Sequence, residues 1–243
     1  MVVISADRPK HLIDIGDGQT IRQENVFGNH ILFSANLIEN PKFKTRNSQL
    51  IGEALQISVS QKGPVHINVP FDEPLYETVD VLQKFHFPHI SMSSLDNSHI
   101  DYESLSKIWN AAEKKMILVG VNPPKKLQEV FIKLIAEDPS IIVLTETTSN
   151  LNHPNFFSSI DQLITPLDAT DFDSLQPDLL LTFGGMVVSK KIKTFLRSNP
   201  PKTHWHIDPV IANDTFFCLT KHFKCSVNTF FAKLNLSSIP LLT

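Results

Sequence analysis

Two groups of cationic side chains stand where a sheet protein can use them. Arg8, in Ser5-Ala6-Asp7-Arg8-Pro9, comes directly after a short apolar run at residues 2–5. In open α/β sheets ligands gather beyond the carboxyl ends of the strands. A guanidinium held there can fork onto a carboxylate or phosphate, although the same residues also allow a plain surface pair between Asp7 and Arg8. Lys190 and Lys191 close the phrase Gly184-Gly185-Met186-Val187-Val188-Ser189-Lys190-Lys191, which follows a second apolar run and opens a helical pattern. Ser189 can cap that helix, and the free amide hydrogens and dipole of its first turn favour an anion beside both lysines. Lysines at a helix start are also commonly just solvated. In both places the chemistry on offer is capture of an anion at a strand exit.

Other chemistries find less support. His204, His206, Cys218, His222 and Cys225 crowd one region, but the paired C-x-x-C and H-x3-H spacings of zinc modules are missing, so buried thiols and ordinary histidines are expected. Two cysteines in 243 residues make no disulfide framework. With eight glycines there is neither a G-x-G-x-x-G run nor a Walker loop. Gly16-Asp17-Gly18 matches the first letters of the metal-binding motif of thiamine-diphosphate enzymes, with Asn40 downstream, yet residues 9–15 do not read as the buried strand that motif needs, and a turn is expected. A Gly-x-Ser-x-Gly elbow is absent and His11, His30, His66, His86, His89 and His99 are scattered, which leaves a hydrolytic triad without local support.

The elements that must position Arg8 and the lysines fall into two blocks. In the first, residues 2–5 read as a strand, and Asn47 or Ser48 can cap a helix that carries Leu50, Ile51, Ala54, Leu55 and Ser58 on one face. Residues 65–69 alternate like a half-buried strand, stopped before by Gly63-Pro64 and denied continuation by Pro70 and Pro74. The second block has better rhythm. A stripe of Leu105, Ile108, Trp109 and Ala112 precedes a strand at 116–121, and Leu127, Val130, Phe131, Leu134 and Ile135 precede one at 141–145. A strand at 179–183, a helix face of Val188, Ile192, Phe195 and Leu196, and a strand at 205–207 follow. This alternation predicts an α/β fold: a doubly wound parallel sheet, Rossmann-like, over residues 101–243. A linker is expected at 81–100, and residues 1–80 read as the C-terminal part of a larger domain, because so few strands cannot cover both faces of their sheet.

Composition narrows the setting. Charged residues are 19% of the chain and the formal net charge is -3, which gives no global pull toward nucleic acid or anionic lipid. No apolar run approaches the roughly 20 residues that span a bilayer, and the first residues lack the flanks of a secretory signal. A soluble, cytoplasmic protein is expected.

Three phrases, in their order and spacing, resemble one family. Ser5-Ala6-Asp7-Arg8-Pro9, Gly16-Asp17-Gly18-Gln19-Thr20-Ile21-Arg22-Gln23 and Gly63-Pro64-Val65-His66-Ile67-Asn68-Val69-Pro70-Phe71-Asp72-Glu73-Pro74-Leu75-Tyr76 are similar to the thiamine-diphosphate-dependent 2-succinyl-5-enolpyruvyl-6-hydroxy-3-cyclohexene-1-carboxylate (SEPHCHC) synthases of menaquinone biosynthesis. The likeness covers the whole chain, most strongly before residue 77. It implies three α/β domains in the whole enzyme, of which this chain supplies the end of the pyrimidine domain and the middle domain. The glutamate that activates the cofactor would lie upstream, and the diphosphate motif with its Mg2+ or Mn2+ downstream. The chain by itself would then neither catalyse nor hold the cofactor.

The resemblance also implies a reaction: decarboxylation of 2-oxoglutarate and conjugate addition of the resulting succinyl carbanion equivalent to isochorismate. Both substrates are dianions, so cations in a dry pocket are needed to offset their repulsion. Arg8 matches the family's carboxylate-binding arginine. Gln19 matches its glutamine, which would bond substrate or the cofactor-bound intermediate. Lys190 and Lys191 fall where the family has a Lys-Arg pair directed at isochorismate, with a point charge at Lys191 in place of a planar fork. Gly18 stands where many relatives carry asparagine. A homodimer or homotetramer is implied. Two other readings stay open: another thiamine-diphosphate enzyme, such as an acetohydroxyacid synthase or an oxalyl-type decarboxylase, and a non-catalytic Rossmann-type nucleotide-binding domain.

Overall fold

The computed structural model describes residues 1–73, 76, 78, 80 and 100–234. The chain divides into two compact units, Met1–Ser94 and Leu95–Thr243. Of the linker expected at 81–100, all but Ile100 lies outside the described residues, as does Pro74.

Unit 1 contains β1 (Val2–Asp7), β2 (Phe33–Asn36), α1 (Lys44–Ser60) and β3 (Val65–Pro70). The strands are all parallel, in the order β1-β3-β2. The central place of β3 overturns its expected half-burial, because Val65, His66, Ile67 and Asn68 are all buried. One face is apolar: Val65 and Ile67 pack with Ala35 and Ala54, and Leu50, Ile51 and Ile57 of α1 close over them. Leu55, expected in this stripe, stays outside the cluster. The opposite face is polar, since Ser5 and Asn36 stand in register with Asn68, and Ser34 with His66. Those polar positions disguise β2 as loop in the sequence.

Helix α1 starts at Lys44, ahead of the caps expected at Asn47 or Ser48. Asn40 instead caps a preceding 3-10 turn, accepting from the Lys42 N–H at 3.0 Å. The Asn47 amide is spent on both backbone groups of Ile38, at 3.1 and 2.8 Å. A helix-interior asparagine with a loop partner looks, from the sequence, like a helix start.

Unit 2 runs α2 (Tyr102–Ala111), β4 (Lys115–Val119), α3 (Glu129–Glu137), β5 (Ile141–Leu144), α4 (Ile160–Ile164), α5 (Ala169–Leu175), β6 (Leu179–Phe183), α6 (Lys190–Ser198), β7 (Thr203–Ile207), β8 (Lys221–Phe223) and α7 (Val227–Leu234). The five strands are parallel in the order β5-β4-β6-β7-β8. On one face Leu105 and Trp109 of α2, Phe131 and Ile135 of α3, and Phe230 and Phe231 of α7 pack on Ile117, Leu181 and Trp205. On the other, Ile160 and Ile164 of α4 and Ile192, Phe195 and Leu196 of α6 pack on Met116, Leu118 and Leu180. Helices therefore cover both faces, and the expected doubly wound sheet is present. Ile108, Val130 and Val188 were assigned to buried stripes but are 46%, 55% and 54% exposed, while Ile132 is buried in the position Val130 was given. The β4 strand stops at Val119, short of the expected 121: Gly120 N–H still bonds Phe183, the last residue of β6, while Val121 N–H turns to Met186 in the loop after it. Among the described residues no helix is long and apolar enough to cross a membrane.

Candidate functional site

At the carboxyl end of the unit 1 sheet, Arg8 leaves β1 and Glu73 follows β3. The Arg8 Nη1 donates to Glu73 Oε1 at 2.6 Å, and the hydrogen bond and charge of Glu73 hold the guanidinium pKa above its ordinary value. The side-chain pair between Asp7 and Arg8 does not form. The Asp7 carboxylate instead accepts from the Arg8 backbone N–H at 2.9 Å, from Gln23 Nε2 at 3.2 Å and from Asn68 Nδ2 at 2.8 Å. These bonds pin the backbone that carries Arg8 to the central strand.

The orientation of Asn68 fixes the rest of the network. With its Nδ2 given to Asp7, its Oδ1 accepts from the Ser5 hydroxyl at 2.9 Å. That hydroxyl has one proton, so at 2.7 Å it accepts from His66 Nε2, which therefore carries the imidazole hydrogen. Burial lowers the His66 pKa, opposed by the nearby Asp7, and keeps the ring neutral. The Phe27 ring packs edge-on against it, 4.9 Å between centroids.

Gln19 lies in an exposed segment with φ 58. It is Gln23 that reaches the strand tip, donating to the Ala6 carbonyl at 2.7 Å as well as to Asp7. Gln23 was part of the quoted phrase, but nothing in its type or spacing marked it apart from Gln19. Gly16-Asp17-Gly18 forms an exposed turn in which the Asp17 carboxylate accepts from the Gly18 N–H at 2.8 Å. That local bond is turn chemistry, as this phrase leads one to expect.

In unit 2 the chain order reverses between β4 and β6, the place where ligands enter doubly wound sheets. Here the crevice is stitched shut. Gly120 N–H donates to Phe183 O at 3.0 Å, Val121 N–H to Met186 O at 3.1 Å and Gly185 N–H to Val121 O at 2.7 Å. A Cβ on Gly120 would lie 2.1 Å from the Gly185 carbonyl oxygen, so the two loops meet backbone to backbone. Gly184, at φ 83, supplies the left-handed turn that brings them together.

The approach to α6 is likewise filled from within. Glu146, just after β5, accepts from the Val188 N–H at 3.0 and 2.8 Å and from the Ser189 N–H at 2.7 Å. Ser189 caps α6 as expected, accepting from the Ile192 N–H at 3.2 Å, and its hydroxyl bonds the Asp161 carboxylate. Lys190 and Lys191 are exposed in the first turn of α6. Next to them Glu146, Asp161, Ser158 and Ser189 line a cavity of about 400 Å³ whose charged groups are carboxylates.

The histidine and cysteine crowd resolves into sheet packing. Thr182 Oγ1 lies 2.9 Å from His204 Nε2 and 2.8 Å from His206 Nδ1, and Cys218 Sγ lies 3.7 Å from His204 Nδ1. Burial pushes the Cys218 thiol up to about 11 and His204 down to about 4. Among the described residues no three His, Cys, Asp or Glu side chains converge as metal ligands.

No family model matches the chain. Curated relatives do: the SEPHCHC synthase of Flavobacterium johnsoniae is 52% identical over 238 residues, covering 96% of this chain and 42% of the relative. That of Flavobacterium psychrophilum is 50% identical over 234 residues, with 95% and 42% covered. The chain is homologous to a segment of SEPHCHC synthase. More distant SEPHCHC synthases keep the match, that of Desulfotalea psychrophila at 31% identity over 245 residues, or 96% of this chain and 45% of the relative. A solved thiamine diphosphate-dependent 4-hydroxybenzoylformate decarboxylase from Rhodococcus jostii RHA1 shares the fold, with a TM-score of 0.58 at 15% identity, covering 98% of this chain and 45% of that one. The segment thus spans less than half the length of the SEPHCHC synthases it matches.

Proposed function

We propose that this chain serves a thiamine-diphosphate-dependent transferase that decarboxylates 2-oxoglutarate and adds the product to isochorismate, and that its own part is to hold substrate carboxylates. The observation that carries the reading is the 52% identity to a SEPHCHC synthase over 96% of the chain. Thiamine diphosphate, when bound with its divalent metal, supplies the carbanion chemistry. Arg8 takes one substrate carboxylate, with its backbone held by Asp7 and Asn68. Lys190 and Lys191, solvated at the start of α6, supply point charges for the second dianion. Gln19 is assigned a hydrogen bond to substrate. The enzyme is taken to be a cytoplasmic homo-oligomer.

The nucleotide-binding alternative loses its physical footing at the switch point, where the backbone of residues 120–121 and 183–186 fills the crevice and Glu146 holds the amides a phosphate would need. The test is a graft. The matched 238-residue stretch of the Flavobacterium johnsoniae synthase is replaced by the corresponding residues of this chain, and consumption of isochorismate with 2-oxoglutarate is followed. Retained SEPHCHC formation supports the reading. A folded, soluble graft that decarboxylates neither 2-oxoglutarate nor consumes isochorismate rejects it.

A further inference from the structure

The pairing of Arg8 with Glu73 bears on how this site would choose its ligand, and the inference rests on reading Arg8 as a carboxylate binder. We propose that Glu73 is an exchangeable internal carboxylate: it occupies the Arg8 guanidinium until a dicarboxylate displaces it, and so sets the affinity and selectivity of the site. The two residues are brought together by the sheet. Asp7 pairs with Pro70 in the β1–β3 register, and the ladder continues one step through the Phe71 N–H to the Asp7 carbonyl at 3.0 Å. Arg8 and Glu73 therefore leave adjacent strand ends side by side.

The pair is asymmetric. The Arg8 side chain is 28% exposed and that of Glu73 is 67% exposed. Arg8 is also tied through its own N–H to Asp7, which Asn68 and Gln23 hold in turn. Glu73 has its backbone N–H on the Asp72 carboxylate, an exposed local bond, and among the described residues its own carboxylate makes one contact, to Nη1. An exposed single-contact ion pair contributes little to stability, so Glu73 can turn into water at small cost while Arg8 stays in place. A guanidinium offers five N–H donors, and a carboxylate approaching bidentately gains two parallel charge-assisted bonds. An incoming carboxylate with that geometry outcompetes the single contact. Asp72 and Asp17 also act on Arg8 at longer range; they oppose every incoming anion, so the preference comes from the bidentate fit at Arg8.

The experiment uses the full 243-residue chain and calorimetric titration with 2-oxoglutarate, comparing wild type with Glu73→Gln, Glu73→Ala, Asp72→Asn, Arg8→Ala and the double variant Arg8→Ala/Glu73→Gln. Glu73→Gln and Glu73→Ala are expected to bind about fivefold tighter than wild type, the scale that removing a competing exposed ion pair can return. The double variant loses that gain, and Asp72→Asn changes affinity by less than about twofold. Two carboxylate-for-neutral changes at position 73 keep the test independent of how either one folds. Equal or weaker binding by both, or an equal gain in Asp72→Asn, overturns the inference. If Arg8→Ala alone weakens binding while the Glu73 variants match wild type, Arg8 keeps its role and only Glu73 loses its own. If Arg8→Ala binds as tightly as wild type, Arg8 is no carboxylate binder and both fall.

Discussion

Removal of the Glu146 carboxylate is the sharpest probe of how unit 2 is held. That group ties the turn after β5 to the loop before α6. It accepts from Val188 and Ser189 at 2.7 to 3.0 Å, while the Ser149 N–H goes to the Glu146 backbone carbonyl at 2.9 Å. Hydrogen bonds to a charged group contribute about 1.5–3 kcal/mol each when the donors would otherwise be buried. Val188 is exposed and its N–H can hydrate, whereas Ser189 is buried; the Ser149 N–H keeps its backbone acceptor. Glu146→Ala should therefore cost unit 2 about 1.5–3 kcal/mol, the scale of the one buried charged bond. Glu146→Gln keeps one acceptor oxygen but turns an NH₂ toward the amides, so about 1–2 kcal/mol is expected. Both tryptophans, Trp109 and Trp205, lie in the unit 2 core, with ring centroids 6.5 Å apart. Urea unfolding followed by tryptophan fluorescence thus reports this unit alone. A control, Thr147→Ala on the exposed face of the same turn, should stay within about 0.5 kcal/mol of wild type. Glu146→Ala unfolding at the wild-type midpoint with an unchanged slope would refute the reasoning, because the amides would then be as well served by water.

Three further outcomes follow from the same geometry. Gly120→Ala forces a Cβ against the Gly185 carbonyl oxygen and should lower unit 2 stability by at least about 1–3 kcal/mol, whereas Gly185→Ala, whose nearest neighbour would be 3.4 Å away, should be nearly neutral; matched urea midpoints for the two would contradict the crevice described. His204 is held neutral in the fold, near 4, against about 6.5 in an unfolded chain, so the unfolded state binds the extra proton. Its contribution is present above about pH 6.5 and is lost as the pH falls toward 4, by up to about 3 kcal/mol; a pH series on Trp205-reported unfolding should show that loss, and His204→Gln should flatten it. In the grafted synthase, Arg8→Ala should lower turnover at least about tenfold, and Lys190→Ala should raise the half-saturation for isochorismate more than for 2-oxoglutarate; steady-state kinetics with each substrate varied decides both.

What the sequence disclosed depended on whether a residue's partner was near in the chain. Strands β6 and β7 and the packing face of α6 were readable because runs such as Leu179 to Phe183, and Ile192 with Phe195 and Leu196, carry their period within one element. The Ser189 cap was readable for the same reason, its acceptor and donor being three residues apart. Strand β2 was hidden because Ser34 and Asn36 face a polar sheet surface and break the apolar pattern. Arg8 was placed correctly beyond a strand, but Glu73, its partner, lies 65 residues away and is brought close only by the β1–β3 register. Glu146 was invisible in the same way, being 43 residues before Ser189. Gln23 and Gln19 are alike in type and four residues apart, and only the fold of the intervening turn decides which reaches Ala6 and Asp7.

Glu73 and Glu146 show how one kind of contact acquires two meanings. Each is a carboxylate at a strand exit that sits on donors suited to an external anion. Glu146 bridges two segments and serves backbone amides of which Ser189 is buried, so releasing it takes the acceptor from a buried donor. Among the described residues Glu73 makes one exposed side-chain contact, to an arginine whose own backbone network keeps it in place, so releasing it leaves the guanidinium positioned. The first carboxylate occupies the amides before α6; on the proposed reading the second leaves unit 1 open to exchange. On the proposed reading a substrate carboxylate would meet a preorganised cation at Arg8, and at α6 the solvated charges of Lys190 and Lys191, which is why the larger effect on turnover is expected at Arg8.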